Sequence, residues 1–119
     1  MNNIKIEINE SSSFKNLPIL ERLVLDTWRL ESLSMKYNPS LGLPSQESKE
    51  YPCKLVFNDS TINSKIEVRI WSLTLGYGGT GPGDFCSILN FLGVDYDEDD
   101  IFTKKNLDND GYINFNFIA

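Results

Sequence analysis

The stretch that decides the fold is residues 53–75, CKLVFNDSTINSKIEVRIWSLTL. Two runs rich in β-branched and aromatic residues, about 53–57 and about 65–75, flank a polar segment at 58–64. This arrangement is typical of a β-hairpin, because turn-forming residues separate two runs with strand composition. In the second arm the apolar positions change parity after Ile70. We therefore expect either a β-bulge near 70–71 or a strand end that is buried on both faces.

Strict alternation of apolar and polar residues predicts two further strands, one on each side of the hairpin in the chain. Residues 3–9, NIKIEIN, place three isoleucines on one face and Lys5 and Glu7 on the other. Residues 112–118, YINFNFI, alternate in the same way. A strand of this kind has one apolar face against a core and one face in water.

Two helices are predicted between these strands. The first runs from Leu17 to about Tyr37, with Pro18 in its first turn and apolar residues at helical spacing, although residues 22–30 could also form a strand. The second spans 83–92 and ends before Gly93, which suits the residue after a helix. A short helical turn follows it, and residues 38–52, with three prolines, predict a long loop.

The element order predicts the fold class α+β, in a single domain that covers residues 1–119. We expect a small two-layer domain with an antiparallel sheet of about four strands and two helices on one face. The length of 119 residues suits one core. No apolar run is long enough to span a membrane, and the first ten residues lack the pattern of a signal peptide. A cytoplasmic protein that does not bind membranes is expected.

The composition argues against several classes of function. The net charge is −6 with a pI near 4.5, which disfavours binding to a nucleic acid polymer and suits a basic protein partner. There is no histidine, and the two cysteines, Cys53 and Cys86, are too few for a zinc site. We expect two buried free thiols, no metal, no cofactor and no enzymatic activity. The sequence does not determine the oligomeric state, and a homo-oligomer is one of the states that it allows.

Four glycines within residues 76–81, GYGGTG, lie between a predicted strand and a predicted helix. Three of them match the G-x-G-x-x-G pattern of dinucleotide-binding proteins. The preceding strand alternates charged and apolar residues, however, whereas the central parallel strand of that fold is apolar almost throughout. No lysine follows the last glycine, as a phosphate-binding P-loop would require. We therefore reject both nucleotide-fold interpretations.

Two interpretations of these glycines remain. The first is a tight turn in which Gly81 is the N-cap of the helix, Pro82 its first residue and Asp84 its third, with the Asp84 carboxylate near the helix dipole. The second is a site for a small phosphate-bearing or nucleotide-type ligand at the helix N-terminus, with Asp84 as a competing anion. The site would comprise main-chain N–H groups of Gly78, Gly79, Thr80 and Gly81, the aromatic faces of Tyr77 and Trp71, and a cation from Arg69, Lys104 or Lys105.

Residues 76–93, GYGGTGPGDFCSILNFLG, resemble a strand-to-helix motif of small uncharacterised bacterial and phage proteins, of the form [YW]-G-Y-G-G-[ST]-G-P followed by an apolar helix. The similarity covers about residues 75–93. It implies a recurring module and a microbial or phage setting, in which a ligand-binding protein of this size would act as a counter-defence sponge. It transfers no catalytic residue.

Two acidic segments complete the candidates. Residues 106–117 resemble a calcium-binding loop, but Phe117 stands where the bidentate glutamate belongs, so a turn at 109–111 is the simpler interpretation. The other segment, residues 95–100, is either a solvated loop or a surface for a basic toxin or nuclease. It places five carboxylates in six positions, namely Asp95, Asp97, Glu98, Asp99 and Asp100.

Overall fold

A computed structural model describes residues 2–10, 14–40 and 51–119 of the chain. They form a small, compact α+β domain. The elements in chain order are β1 (Asn2–Ile8), α1 (Asn16–Leu23), β2 (Trp28–Tyr37), β3 (Cys53–Asp59), β4 (Ser64–Ile70), α2 (Thr80–Leu92), α3 (Glu98–Phe102) and β5 (Ile113–Ile118). The loop predicted at 38–52 falls mostly in 41–50, outside the described residues.

The sheet has five strands in the order β1-β4-β3-β2-β5, and it is mixed. β1 runs parallel to β4, while every other neighbouring pair is antiparallel. The prediction of about four antiparallel strands and two helices was therefore wrong in detail, since the described residues hold five strands and three helices. The parallel pair arises because α1, β2 and β3 intervene between β1 and β4, which gives the chain length that a parallel crossover needs.

One face of the sheet carries the core. The registers align Ile8 with Ile70, Ile70 with Cys53, and Cys53 with Met35, so apolar side chains from neighbouring strands lie side by side. All three helices pack on this face and contribute to the same buried cluster. The helical residues buried there are Leu20 of α1, Phe85, Ile88 and Leu89 of α2, and Ile101 of α3.

The opposite face of the sheet is polar, and we call it the open face. Its strand registers place the partners of Lys5 and Glu7 at Glu67 and Arg69, so opposite charges lie on adjacent strands. Further ion pairs join Lys65 to Glu31 at 3.2 Å and Lys54 to Glu67 at 3.8 Å. Among the described residues, the cations on the strands of the open face are Lys5, Arg29, Lys36, Lys54, Lys65 and Arg69.

The long first helix predicted from Leu17 to Tyr37 was wrong in its second half. α1 ends at Leu23, where the Val24 N–H still bonds the Leu20 carbonyl at 3.0 Å. The chain then turns into β2, which carries a register shift between Leu30 and Ser32. This bulge moves the core-facing positions from even to odd residue numbers, so β2 lacks the simple alternation that would have identified it.

The other local predictions hold with adjusted bounds. The hairpin at 53–75 is confirmed as β3 and β4, but β4 ends at Ile70 without a bulge at 70–71. The parity change instead marks the point where the strand stops and Leu73 and Leu75 enter the core from an irregular segment. Gly93 follows α2 in the left-handed conformation, with φ 73°. No helix among the described residues has the length and apolar character needed to cross a bilayer.

Candidate functional site

The glycine-rich segment 76–81, which we call the glycine turn, is fixed at its first residue. The N–H of Gly76 donates to the carbonyl of Ile101, next to the end of α3, at 2.9 Å. Its φ of +94° is one that side-chain-bearing residues rarely adopt, and a β-carbon there would lie 2.7 Å from Cδ1 of Ile113. Gly76 is therefore required by backbone conformation and by packing, not by a ligand.

Tyr77 and its hydrogen-bond partner Thr74 explain two further glycines. Its hydroxyl hydrogen-bonds with Thr74 Oγ1 at 2.8 Å, which folds the phenol ring back over the turn. A β-carbon on Gly79 would overlap the ring of Tyr77, and one on Gly81 would overlap Oγ1 of Thr74. The structure thus brings Tyr77, Gly79 and Gly81 together as predicted, but their contacts account for these glycines as a close-packed turn.

Gly78 differs from its neighbours. A β-carbon added to it would have no heavy atom within 4 Å, and its φ is not positive. This part of the glycine turn faces open space. Among the predicted site residues next to it, Thr80 is exposed.

α2 begins at Thr80 rather than at residue 83, and its N-cap lies two residues earlier than predicted. Gly79, rather than Gly81, is the N-cap, and no side chain caps it. Thr80 and Gly81 are the first two helical residues, and Pro82 is the third instead of the first. Because proline has no N–H, the main-chain N–H groups at this helix end are those of Gly79, Thr80 and Gly81.

The carboxylate of Asp84 does not interact with the positive N-terminal end of its own helix, α2. Its carboxylate is buried, with 2% exposure, and accepts a hydrogen bond from Nδ2 of Asn16 at 2.9 Å. The main-chain N–H of Asn16, at the start of α1, also bonds it. Asp84 therefore ties the first residue of α1 to α2. Burial raises the pKa of Asp84, while the hydrogen bonds from Asn16 act in the opposite direction.

Sequence reasoning missed this buried polar group. Asn16 is 1% exposed, and its Nδ2 also donates to the hydroxyl of Ser72 at 2.9 Å. One side-chain oxygen of Asn16 and one of Asp84 have no partner within the part of the chain that the structure describes. No local pattern links residues so far apart in the chain, so the sequence carried no signal for the cluster.

The other members of the predicted ligand site are engaged elsewhere. Trp71 packs edge-on against Tyr51, with ring centres 5.3 Å apart. Arg69 lies on the open face, where its Nε donates to the carboxylate of Glu67 at 2.8 Å. Of the two candidate lysines, Lys104 lies beside the glycine turn, with its Cγ 3.7 Å from a β-carbon built on Gly76. The expected cluster of aromatic faces and a cation around the glycines is therefore only partly assembled.

The carboxylates of residues 95–100 form a second candidate site, which we call the acidic surface. Asp97 caps α3, since its Oδ1 accepts from the N–H of Asp99 at 3.0 Å. Asp95, Asp97, Glu98 and Asp99 are exposed, while Asp100 is partly buried. The short helical turn predicted after Gly93 is thus confirmed as α3, and it carries the acids outward.

Few local contacts neutralise the acidic surface. Nζ of Lys105 lies 3.7 Å from Asp100 and 4.0 Å from Asp97, both at positions reached by water. Asn106 donates to Asp100 at 2.5 Å. Exposed ion pairs of this kind are worth little energetically. Among the described residues, no ion pair joins a cation to Asp95, Glu98 or Asp99.

The segment that resembles a calcium-binding loop is a turn. The carboxylate of Asp108 accepts hydrogen bonds from the N–H groups of Asp110 and Tyr112, both at 2.9 Å, and from the Asn114 side chain at 3.0 Å. These bonds hold the pKa of Asp108 below its usual range, the bond from Tyr112 most of all. Gly111, with φ +85°, completes the turn into β5. The first half of this loop therefore organises the protein's own backbone.

Comparisons with known proteins identify no relative: no protein-family model, no curated protein and no solved structure matches the chain.

Proposed function

We propose that the protein is a non-enzymatic binding module that docks a basic protein partner through the acidic surface. The observation that carries the proposal is the presentation of Asp95, Glu98 and Asp99, all exposed, at and beside the start of a capped helix. Side chains held on a helix lose less freedom on binding than side chains of a loop. The partner class that fits is a basic toxin or nuclease, which an acidic protein of the immunity kind would inhibit in the cytoplasm.

The distribution of charge supports this proposal. Six cations and the carboxylates of Glu7, Glu31 and Glu67 lie on the strands of the open face, whereas α3 belongs to the layer of helices on the other face. Among the described residues, the strands of the open face are therefore net positive, and the acidic helix α3 lies on the other side of the sheet. Segregated charge orients an approaching partner of opposite sign and raises its rate of association, and salt weakens this effect.

The experiment is affinity capture from cells of the source organism at low and at high salt. The test variant is Asp95→Asn with Asp99→Asn, and the matched control is Glu21→Gln with Asp26→Asn, which changes net charge equally at exposed sites. We expect the wild type and the control to retain one basic protein that the test variant loses, with retention falling as salt rises. Equal retention by test and control variants would contradict the proposal.

A second candidate is the binding of a phosphate-bearing or nucleotide-type ligand at the glycine turn, as expected of a counter-defence sponge. Two observations favour it. Open space lies beside Gly78, and the Asp84 carboxylate, which would repel an anion, is turned toward α1. Lys104 beside the turn would supply the cation.

This candidate is tested by thermal shift with cyclic nucleotides, ADP-ribose and inorganic phosphate. Gly78→Asp adds a negative charge without a steric clash, and Gly78→Ala is the control that adds volume alone. We expect a shift in the wild type and in Gly78→Ala that Gly78→Asp abolishes. The absence of any shift over the panel would remove this candidate and leave the acidic surface untouched.

A further inference from the structure

β1 forms an edge of the sheet with main-chain groups that point outward. Within residues 2–10, 14–40 and 51–119, the strand that pairs with β1 is β4. The Ile8 carbonyl accepts from the N–H of Trp71 at 3.1 Å, so even-numbered residues of β1 direct their main-chain groups toward β4. Successive residues of a strand point to opposite sides. The N–H and C=O groups of Asn3, Lys5 and Glu7 therefore face away from the sheet, as in an edge that can accept another strand.

A partly apolar groove follows this edge on the core side of the sheet. It has a volume of about 440 Å³ and lies between β1 and α1, where Ile6, Ile8, Ile19 and Leu23 line it together with the polar residues Glu7, Asn9 and Glu10. Ile4, two residues before Ile6 on the same face of β1, is 40% exposed. A strand that paired with β1 would place its own apolar side chains against this groove, which is how peptides bind by strand addition.

The edge strand is complementary to itself. Residues 3–9, NIKIEIN, have the same order of residue types in both directions except that lysine and glutamate exchange places. If two copies run antiparallel about an axis at Ile6, Lys5 of each copy lies opposite Glu7 of the other. The isoleucines then face isoleucines, and Asn3 lies opposite Asn9.

The backbone permits this register, and charge favours it over the alternatives. The main-chain N–H and C=O groups of Lys5 and Glu7 both face away from β4, so these two residues can form the kind of antiparallel pair that exchanges two main-chain hydrogen bonds. A register centred on Lys5 would place lysine opposite lysine, and one centred on Glu7 would place glutamate opposite glutamate. Like charges directly across a strand pair are unfavourable, whereas opposite charges stabilise it.

We propose that β1 is the interface for a second copy of this chain, with two β1 strands paired antiparallel about a two-fold axis at Ile6. The five-stranded sheets then join into one continuous sheet across the dimer. Isoleucines of each copy cover the groove between β1 and α1 of the other. This interface is separate from the acidic surface on α3, so it does not depend on the function proposed above.

The test uses two single charge reversals and their mixture. In Lys5→Glu every charge on the edge is negative, and in Glu7→Lys every charge is positive, so each variant alone repels its own copy in the proposed register. We expect light scattering after gel filtration to give a dimer for the wild type, a monomer for each variant, and a heterodimer when the two are mixed. Circular dichroism checks that both variants are folded.

A cross-link tests the register independently. Residue 6 is the position that meets itself across the axis, so Ile6→Cys should form a covalent dimer when a disulfide-forming oxidant is added, whereas Lys5→Cys should not. Asn116→Lys, on the opposite edge strand β5, should leave the dimer intact. A monomeric wild type, dimers in both single reversals, or loss of the dimer in Asn116→Lys would each overturn the proposal.

Discussion

Gly78 and Gly81 are three residues apart, yet a side chain would have opposite consequences at the two positions. At Gly81 a β-carbon meets Oγ1 of Thr74, which is 7% exposed and bonded to Tyr77. At Gly78 it meets nothing within 4 Å. The glycine pattern is therefore partly a packing requirement, and a letter pattern alone cannot separate such positions from those that face a ligand.

Gly81→Ala should destabilise the fold while Gly78→Ala does not. Displacing Thr74 disrupts its bond to Tyr77, and overpacking of this kind costs about 1–3 kcal/mol, of which a better helix former recovers about 1 kcal/mol. We expect a net loss of up to about 2 kcal/mol in urea unfolding for Gly81→Ala and a change within about 0.5 kcal/mol for Gly78→Ala. Similar values for the two variants would refute the packing explanation.

Asp84 makes stability depend on pH in an unusual direction. Burial raises the pKa of Asp84 above the ordinary value of 3.8. At a pH between these two pKa values, Asp84 keeps its proton in the folded protein and has lost it in the unfolded chain. Stability from this group therefore falls as the pH rises from about 3.8 through the raised pKa. Asp59 has the opposite effect, because the hydrogen bond from Thr61 is the chief cause that lowers its pKa. Its contribution to stability is present at a pH above 3.8 and is lost as the pH falls through the lowered pKa.

Asp84→Asn isolates this effect. The amide cannot ionise, and it places a donor where Asp84 has an unpartnered oxygen. We expect the variant to gain about 1 kcal/mol over the wild type at pH 7, and the difference to shrink as the pH falls toward 4. Unfolding curves at several pH values measure it. A difference that does not change with pH would show that Asp84 has an ordinary pKa.

At the scale of elements, the sequence correctly predicted the strands and the helix end whose local residue pattern is uninterrupted. The alternation of β1 and β5, the hairpin of β3 and β4, and Gly93 after α2 were all visible in the sequence. β2 was not, because its bulge between Leu30 and Ser32 shifts Leu33 and Met35 out of phase with Trp28. Residues from α1 and β2 together then match helical spacing, although the helix ends at Leu23 and the strand begins at Trp28.

The cap of α3 gives a prediction for the acidic surface. Asp97→Ala removes the bond to the Asp99 N–H and should cost about 1 kcal/mol, which a helix of five residues can scarcely tolerate. We expect faster hydrogen exchange at residues 99–102. Asp95→Ala, with the same change in charge but no cap, should leave exchange there as in the wild type. Equal acceleration in both variants would attribute the effect to charge instead.

At the scale of the whole molecule, burial of the thiols follows from the position of their strand and helix. Cys53, in the strand at the middle of the sheet, has no exposure, and Cys86 in α2 has 7%. Both are free, as predicted. Desolvation raises the pKa of each thiol, so little reactive thiolate forms in the folded state.

Thiol labelling should consequently report global unfolding. In a Cys86→Ser background, alkylation of Cys53 at pH 8 should proceed at the rate of complete unfolding and rise with urea as unfolding itself does. Labelling is followed by mass spectrometry and compared with unfolding measured by fluorescence. Labelling much faster than unfolding would show that the centre of the sheet opens locally.

What the sequence could not supply is the long-range arrangement. The parallel pairing of β1 with β4 and the hydrogen bond between Asn16 of α1 and Asp84 of α2 each join distant parts of the chain. Local patterns specify which face of an element is apolar, but several sheet orders satisfy the same patterns. The order was therefore beyond prediction even where the individual strands were correct.

The pairing of Ile4 with Ile66 has a consequence for synthesis on the ribosome. At roughly 5–20 residues per second, roughly 3–12 s pass between the translation of β1 and that of its partner β4. During that delay the isoleucines of β1 lack the neighbouring strand β4, which covers them in the folded protein. We expect nascent chains stalled before Ser64 to be cleaved readily by protease and to recruit chaperones, and chains extended past β5 to resist both.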